Sequence, residues 1–136
     1  MELLAGKVAL VTGGGRGIGW GISRLFAQEG AAVVMMGRNH GTLKNAETEI
    51  KQGGGIALGV AGDISNSIDV QKVIDTTVNE FGTLDILVAN AGINPVTPLL
   101  EMPEEEWDSV LDINLKGSFL CIQRAGRVMA QKKRGR

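Results

Sequence analysis

Val8-Ala9-Leu10-Val11-Thr12-Gly13-Gly14-Gly15-Arg16-Gly17-Ile18-Gly19 runs from a short apolar segment straight into a glycine turn. A strand followed at once by such a turn is what a phosphate-binding crossover requires. Glycines let the backbone turn tightly and approach a pyrophosphate, and a helix beginning near Gly17 presents free N–H groups and its positive dipole end to the anion. Ile18, Ile22, Leu25 and Phe26 recur at helical spacing beyond the turn, so the turn opens a helix. A glycine cluster alone reads equally as a flexible loop; the strand before it and the amphipathic helix after it favour a nucleotide site.

Further along, apolar runs begin near Lys7, Ala32, Ile56 and Leu84, with helix-patterned segments between them. This is the order of consecutive βα units with right-handed crossovers, hence an α/β fold on a parallel sheet. Val33-Val34-Met35-Met36 and Ile86-Leu87-Val88 are continuous rather than alternating, as expected of strands covered on both faces. Val70, Val73, Ile74, Thr77, Val78 and Phe81 form one face of a helix that Gly82 ends, and Leu43, Ala46 and Ile50 mark a helix before it. Two prolines in Ile93-Asn94-Pro95-Val96-Thr97-Pro98 make that segment a loop. A helix restarts after Pro103 with Glu104, Glu105 and Glu106 at its positive end, and Leu115, Phe119, Ile122 and Met129 carry an apolar stripe through the last helix. Met35, Met36, Met102, Met129, Trp20 and Trp107 read as core or interface packing, and His40 is assigned no chemistry.

Composition narrows the function classes. The 136 residues suffice for one domain with a core, and 43% apolar content is ordinary for a globular chain. A net charge of −1 argues against a general nucleic-acid or membrane-surface binder. No apolar run reaches the roughly 18 residues of a membrane span, and the N-terminus lacks the pattern of a secretory signal. Cys121, the only cysteine, permits no internal disulfide and suits a reducing cytoplasm. After Asp112 come seven basic residues and no acid, but six acids between Glu101 and Asp112 precede them. Placement along the dipoles of two successive helices accounts for both groups without a nucleic-acid partner.

The octet Thr12 to Gly19 resembles the Thr-Gly-x-x-x-Gly-x-Gly pattern of the short-chain dehydrogenase/reductase family, and Asn90-Ala91-Gly92 after a later strand resembles that family's second signature. The resemblance covers the whole chain. It implies a Rossmann-type parallel sheet with flanking helices in strand order 3-2-1-4, truncated after about four strands, so that residues 1–136 form a single dinucleotide-binding domain that is C-terminally incomplete. It also implies a site. Gly13, Gly15, Arg16, Gly17, Ile18 and Gly19 would take the pyrophosphate, with Thr12 pinning the turn by its hydroxyl. Asp63 would accept from the adenine amino group beside the Ile64 amide. Asn90 would satisfy strand-end backbone while Ala91 and Gly92 leave room for the nicotinamide ribose. Asn114, in Asp112-Ile113-Asn114-Leu115-Lys116-Gly117, matches the family's catalytic asparagine, in a helix that Gly117 suggests is locally irregular. As a structural residue it would simply interrupt that helix.

Cofactor choice is read at the end of the second strand. An acid there would hold the ribose hydroxyls of NAD and exclude NADP; the sequence has Met36-Gly37-Arg38-Asn39 instead. With Arg16 in the turn, two guanidinium groups bracket a 2′-phosphate, so NADP is expected over NAD. The activity implied is hydride transfer between nicotinamide and a small-molecule carbonyl or secondary alcohol, with tyrosine as general acid/base. The family's Ser and Tyr-x-x-x-Lys are expected beyond residue 136, and the sequence has no tyrosine. The chain is therefore expected to be the cofactor-binding part of a homo-oligomeric oxidoreductase, and inactive alone. A catalytically empty nucleotide-binding module is the alternative, and an interaction protein using the basic end a third. Stopping at Arg136 would leave Leu84–Asn90 as an open sheet edge that seeks a partner.

Overall fold

A computed structural model of the chain describes residues 2–136. Its strands are β1 (Val8–Thr12), β2 (Ala32–Gly37), β3 (Ile56–Ala61) and β4 (Ile86–Val88), and its helices α1 (Gly17–Gln28), α2 (His40–Gln52), α3 (Ser67–Phe81), α4 (Glu104–Val110) and α5 (Gly117–Gln131). The four strands are parallel in the order β3-β2-β1-β4. Every side chain of β1 is buried, because helices cover both faces of the sheet. Leu10, Val34 and Met36 face Val70, Val73 and Ile74 of α3 and Leu120, Cys121 and Ala125 of α5. Val11, Val33 and Met35 face Leu43, Ala46 and Ile50 of α2, with Trp20, Ile22 and Phe26 of α1. Burial pushes the Cys121 thiol up to about 11, the nearby Arg124 charge offsetting part of the rise, so it is a core group and not a nucleophile.

Two apolar stripes differ from the sequence expectation. In α1 the face against the sheet is Gly19 and Ser23, whereas Ile18 and Leu25 are exposed. At Gly19 the helix lies so close to the glycine turn that no side chain fits, while Ile22 and Phe26 of the expected stripe do pack against the core. In α5 the buried face is Gly117, Leu120, Cys121 and Ala125, while Phe119 and Ile122, and Leu115 just before the helix, stand more than half exposed. Periodicity shows that a helix face is apolar; which of two apolar faces meets the sheet depends on where the helix docks.

β4 is an edge strand of the four-stranded sheet, as expected, and the last residue touches part of that edge. Lys133 adopts a left-handed backbone (φ 54°) and turns the chain back after α5. Arg136 then donates its N–H to Asp85 O (3.0 Å) and accepts from Leu87 N (2.8 Å), which is the first rung of a parallel pairing on β4. Arg134 Nε lies 3.4 Å from Asp85 Oδ1, and Asp85 Oδ2 in turn accepts from Val8 N (3.0 Å), so this carboxylate joins β1 to the last residues.

At the opposite edge α2 covers β3. A Cβ on Gly59 would stand 2.9 Å from Leu43 Cβ, and the Gly59 N–H donates to Glu47 Oε2 (2.9 Å) while Lys51 Nζ reaches Oε1. Burial alone would raise the Glu47 carboxyl, but the bonds from Lys51 and Gly59 and the charges of Lys51 and Lys44 outweigh it and hold it below the ordinary value near 4.5. A depressed folded-state pKa contributes stability that is whole at neutral pH and is lost as pH falls from about 4.5 through the folded value. Glu47→Gln should therefore lower stability by about 1 kcal/mol at pH 7, a difference that closes as the medium is acidified. Urea unfolding of both proteins at pH 7 and below pH 4 checks this; a gap independent of pH would contradict it.

Candidate functional site: the cleft at the carboxyl ends of the strands

An open cleft of about 780 Å³ runs across the carboxyl ends of the strands, a size typical of ligand pockets and the usual ligand position in an open α/β sheet. Thr12, Gly13, Gly15, Arg16, Gly17, Ile18, Arg38, Asp63, Ile64, Asn90, Ala91 and Gly92 all line it. Gly19 does not; it lies beneath, where a Cβ would overlap the Gly13 carbonyl oxygen.

The turn is built by its neighbours. Gly13 and Gly17 have φ of +63° and +56°, the left-handed region that glycine adopts freely. Gly13 N donates to Met36 O (2.7 Å), tying the turn to the end of β2. The first bond of α1 is Trp20 N to Arg16 O (3.0 Å), so the N–H groups of Gly17, Ile18 and Gly19 precede any helical acceptor and form the positive end of the helix. Thr12 is buried and serves as a hub between strands. Its hydroxyl accepts from Asn90 N and Ala91 N (3.0 Å each) and lies 3.4 Å from Val88 O, while Asn90 Nδ2 donates to Thr12 O (3.1 Å). Asn90 thus satisfies strand-end backbone, and a Cβ on Gly13 would come within 3.1 Å of its amide nitrogen.

Asp63 is half committed. One oxygen accepts from Ser65 Oγ (2.7 Å) and Ser65 N (2.9 Å), forming a local turn, and neither bond uses the other oxygen. The Ser65 hydroxyl and then its N–H hold the carboxyl below its ordinary value against the opposing effect of burial, with the Arg38 charge adding to the lowering. It is therefore an ionised acceptor at neutral pH, facing the cleft.

Asn114 sits in a wide helical turn, Leu111–Lys116, whose i→i+5 geometry matches the irregularity anticipated near Gly117. Its side chain pairs with one backbone unit: Nδ2 donates to Ile93 O and Oδ1 accepts from Ile93 N, both at 2.8 Å. Asn114 is not a lining residue, but Ile93 and Ile113 are, so it acts on the cleft by fixing the loop after Gly92. Close packing places that turn, since a Cβ on Gly117 would stand 2.9 Å from Ile64 Cγ1.

Several contributors escaped the sequence reading. Asn39 and Thr42 line the cleft, and Asn39 Oδ1 caps α2 by accepting from Thr42 N (2.9 Å). An Asn directly before a helix is a cap signal, so this one was legible. Ser23, buried under the turn, carried none. Among the described residues no three His, Cys, Asp or Glu side chains group to hold a metal ion, and no described helix is long and apolar enough to cross a membrane.

The cleft brings together free N–H groups at a helix start, the lining arginines Arg16 and Arg38 and the ionised Asp63 carboxylate, a donor and acceptor set of the kind that nucleotide sites use. Residues 7–136 match the model of the short chain dehydrogenase family. A 3-oxoacyl-[acyl-carrier-protein] reductase of Synechocystis is 40% identical over 137 residues, covering 100% of this chain and 56% of that protein. The short-chain reductase protein NovJ of Streptomyces niveus is 41% identical, over 96% of this chain and 50% of its own length. Among solved structures, a short-chain type dehydrogenase/reductase from Mycobacterium marinum superposes with a TM-score of 0.92 at 38% identity, covering 95% of this chain and 52% of that one. A metagenomic short-chain oxidoreductase in complex with NADP gives 0.91 at 38%, covering 97% and 60%. The chain spans about half the length of the curated relatives it matches. With its glycine turn, its strand order and a family match over residues 7–136, the chain belongs to the short-chain dehydrogenase/reductase family.

Proposed function

We propose that this chain is the cofactor-binding portion of an oxidoreductase that moves hydride between a nicotinamide and a small-molecule carbonyl or secondary alcohol, with NADP preferred over NAD. The observation that carries the cofactor choice is the pairing of Arg16 and Arg38 on one cleft, with no acid at the end of β2. When bound, the nicotinamide supplies the hydride chemistry. The chain's own residues bind and orient. The N–H groups at the start of α1 hold the pyrophosphate, Arg16 and Arg38 hold the 2′-phosphate, and the uncommitted oxygen of Asp63 accepts from the adenine amino group beside Ile64. Ala91 and Gly92 leave room for the nicotinamide ribose, and Asn114 keeps the loop beside it in place through Ile93.

A second reading is a nucleotide-binding module that carries no catalysis of its own. Under either reading the 136-residue chain binds dinucleotide but does not by itself turn over carbonyl substrates. Trp107, Leu111, Leu115, Phe119 and Ile122 are exposed along the α4–α5 side and suit association with a second copy, in keeping with a homo-oligomeric enzyme.

Nicotinamide fluorescence tests the cofactor choice. A charge-assisted bond of roughly 1.5–3 kcal/mol corresponds to about tenfold or more in affinity, so NADPH should bind at least about ten times tighter than NADH, and Arg38→Asp should abolish the difference. Equal affinities in the unaltered chain, or an undiminished preference in Arg38→Asp, would overturn it.

A further inference from the structure

We propose that Asp69 is a positioning residue for base recognition: by holding the Asp63 N–H it aims the turn whose free carboxylate oxygen accepts from the adenine amino group; this rests on the dinucleotide reading of the cleft. Asp69 is the third residue of α3, behind the cap residue Asn66, whose side chain accepts from Ile68 N (2.9 Å) and Asp69 N (3.1 Å). A carboxylate at that position, in the usual capping box, returns to the N–H of the cap residue. In this chain the Asn66 N–H already donates to Asp63 O (3.0 Å), and Asp69 Oδ2 reaches past it to accept from Asp63 N at 2.9 Å. Asp69 therefore ties the start of α3 to the loop that leaves β3 rather than closing its own cap.

The bonds inside residues 63–66 set the shape of the turn but not its aim. Asp63 Oδ1 accepts from Ser65 N and Ser65 Oγ, and Asp63 O accepts from Asn66 N, so these partners move with the turn. Outside it, the buried Ile64 side chain packs on Gly117, and the Asp63 N–H meets Asp69. The first contact is apolar and holds the turn in place; the second is a directional, charge-assisted bond and sets the rotation of the Gly62–Asp63 peptide. Gly62 lets the helix come this near, since a Cβ there would stand 3.3 Å from Asp69 Cβ and 3.0 Å from Met36 Cε. Without the Asp69 acceptor that peptide is free to turn, and the Asp63 carboxylate loses its fixed direction toward the base. Gly62, Asp63 and Ile64 line the cleft and Asp69 does not, so it acts on a ligand through Asp63.

The test titrates two ligands on the 136-residue chain by nicotinamide fluorescence: NADPH and its hypoxanthine analogue, in which an oxygen replaces the adenine amino group. A charge-assisted bond from that group corresponds to about tenfold in affinity, so the unaltered chain should prefer NADPH by about tenfold. Asp69→Ala should cut that preference to about threefold or less, whereas Asp69→Asn, which keeps an acceptor oxygen, should retain it. Asp69→Leu also removes the acceptor and supplies the same ratio if the alanine variant does not fold. An undiminished preference in the folded alanine or leucine variant, whether NADPH affinity is unchanged or both ligands weaken alike, would show that Asp69 serves only the helix and would overturn the assignment. Equal affinities of the unaltered chain for the two ligands would overturn the role of Asp63 on which it depends. Failure of the unaltered chain to bind NADPH at all would instead overturn the dinucleotide reading, and this inference with it.

Discussion

Gly19→Ala is expected to abolish dinucleotide binding, with a loss of at least about a hundredfold, and to destabilise the chain by about 3 kcal/mol. The added methyl would overlap the Gly13 carbonyl oxygen and stand 2.6 Å from Asn90 Nδ2. Neither neighbour yields easily: one is backbone in a left-handed turn, and the other is bonded to Thr12 O at 3.1 Å. The start of α1 must therefore move off the sheet, taking the N–H groups of Gly17 and Ile18 with it. Gly21→Ala is the control. That glycine lies on the exposed side of the same helix with nothing within 4 Å of a Cβ, so alanine there should leave binding intact and raise stability by up to about 1 kcal/mol. Thermal melts and NADPH titration of the two variants check this; similar behaviour would show that helix–turn contact does not set the site.

The second large effect is expected at Thr12. Thr12→Val preserves shape but removes the oxygen that accepts from Asn90 N and Ala91 N, leaving two N–H groups without that partner in a half-buried strand end. Asn90 N keeps its contact with Val88 O (3.0 Å), so the expected loss is that of the Ala91 N–H, about 1–3 kcal/mol, accompanied by weaker NADPH binding because Ala91 and Gly92 are no longer held. Thr12→Ser retains the hydroxyl and should lose about 1 kcal/mol, the contribution of one buried methyl. Urea denaturation gives the ranking. A valine variant within about 0.5 kcal/mol of the unaltered chain would show that water replaces the hydroxyl without loss.

The legible parts of the site were those written in adjacent residues. Gly13 and Gly17 mark a turn because glycine freely takes the left-handed backbone angles they adopt. Gly82 marked the end of α3 for the same reason, at φ 76°. Asp63, Asn90 and Arg38 line one cleft as expected because each closes a parallel strand, and parallel strands deliver their carboxyl ends to one edge of the sheet. Asn114 was located correctly on an irregular helix, but its engagement with Ile93, 21 residues away, was not readable.

Sequence by itself determined the α/β class, the βα order, the strand arrangement through the family resemblance, and the glycine turn, because all of these follow from short-range periodicity and from residues whose backbone preferences are local. Tertiary structure alone decided which apolar faces are covered, turning Ile18, Leu25, Leu115, Phe119 and Ile122 outward where spacing had suggested packing. It also decided the partners of the buried polar groups: Ser23 with Gly14, Glu47 with Gly59, Asp85 with Val8, and Arg136 with the edge of β4. A polar side chain in a sequence shows only its capacity to donate or accept. Its partner is chosen by which backbone group the fold brings within about 3 Å, and for these pairs the chain separation runs from 9 to 77 residues.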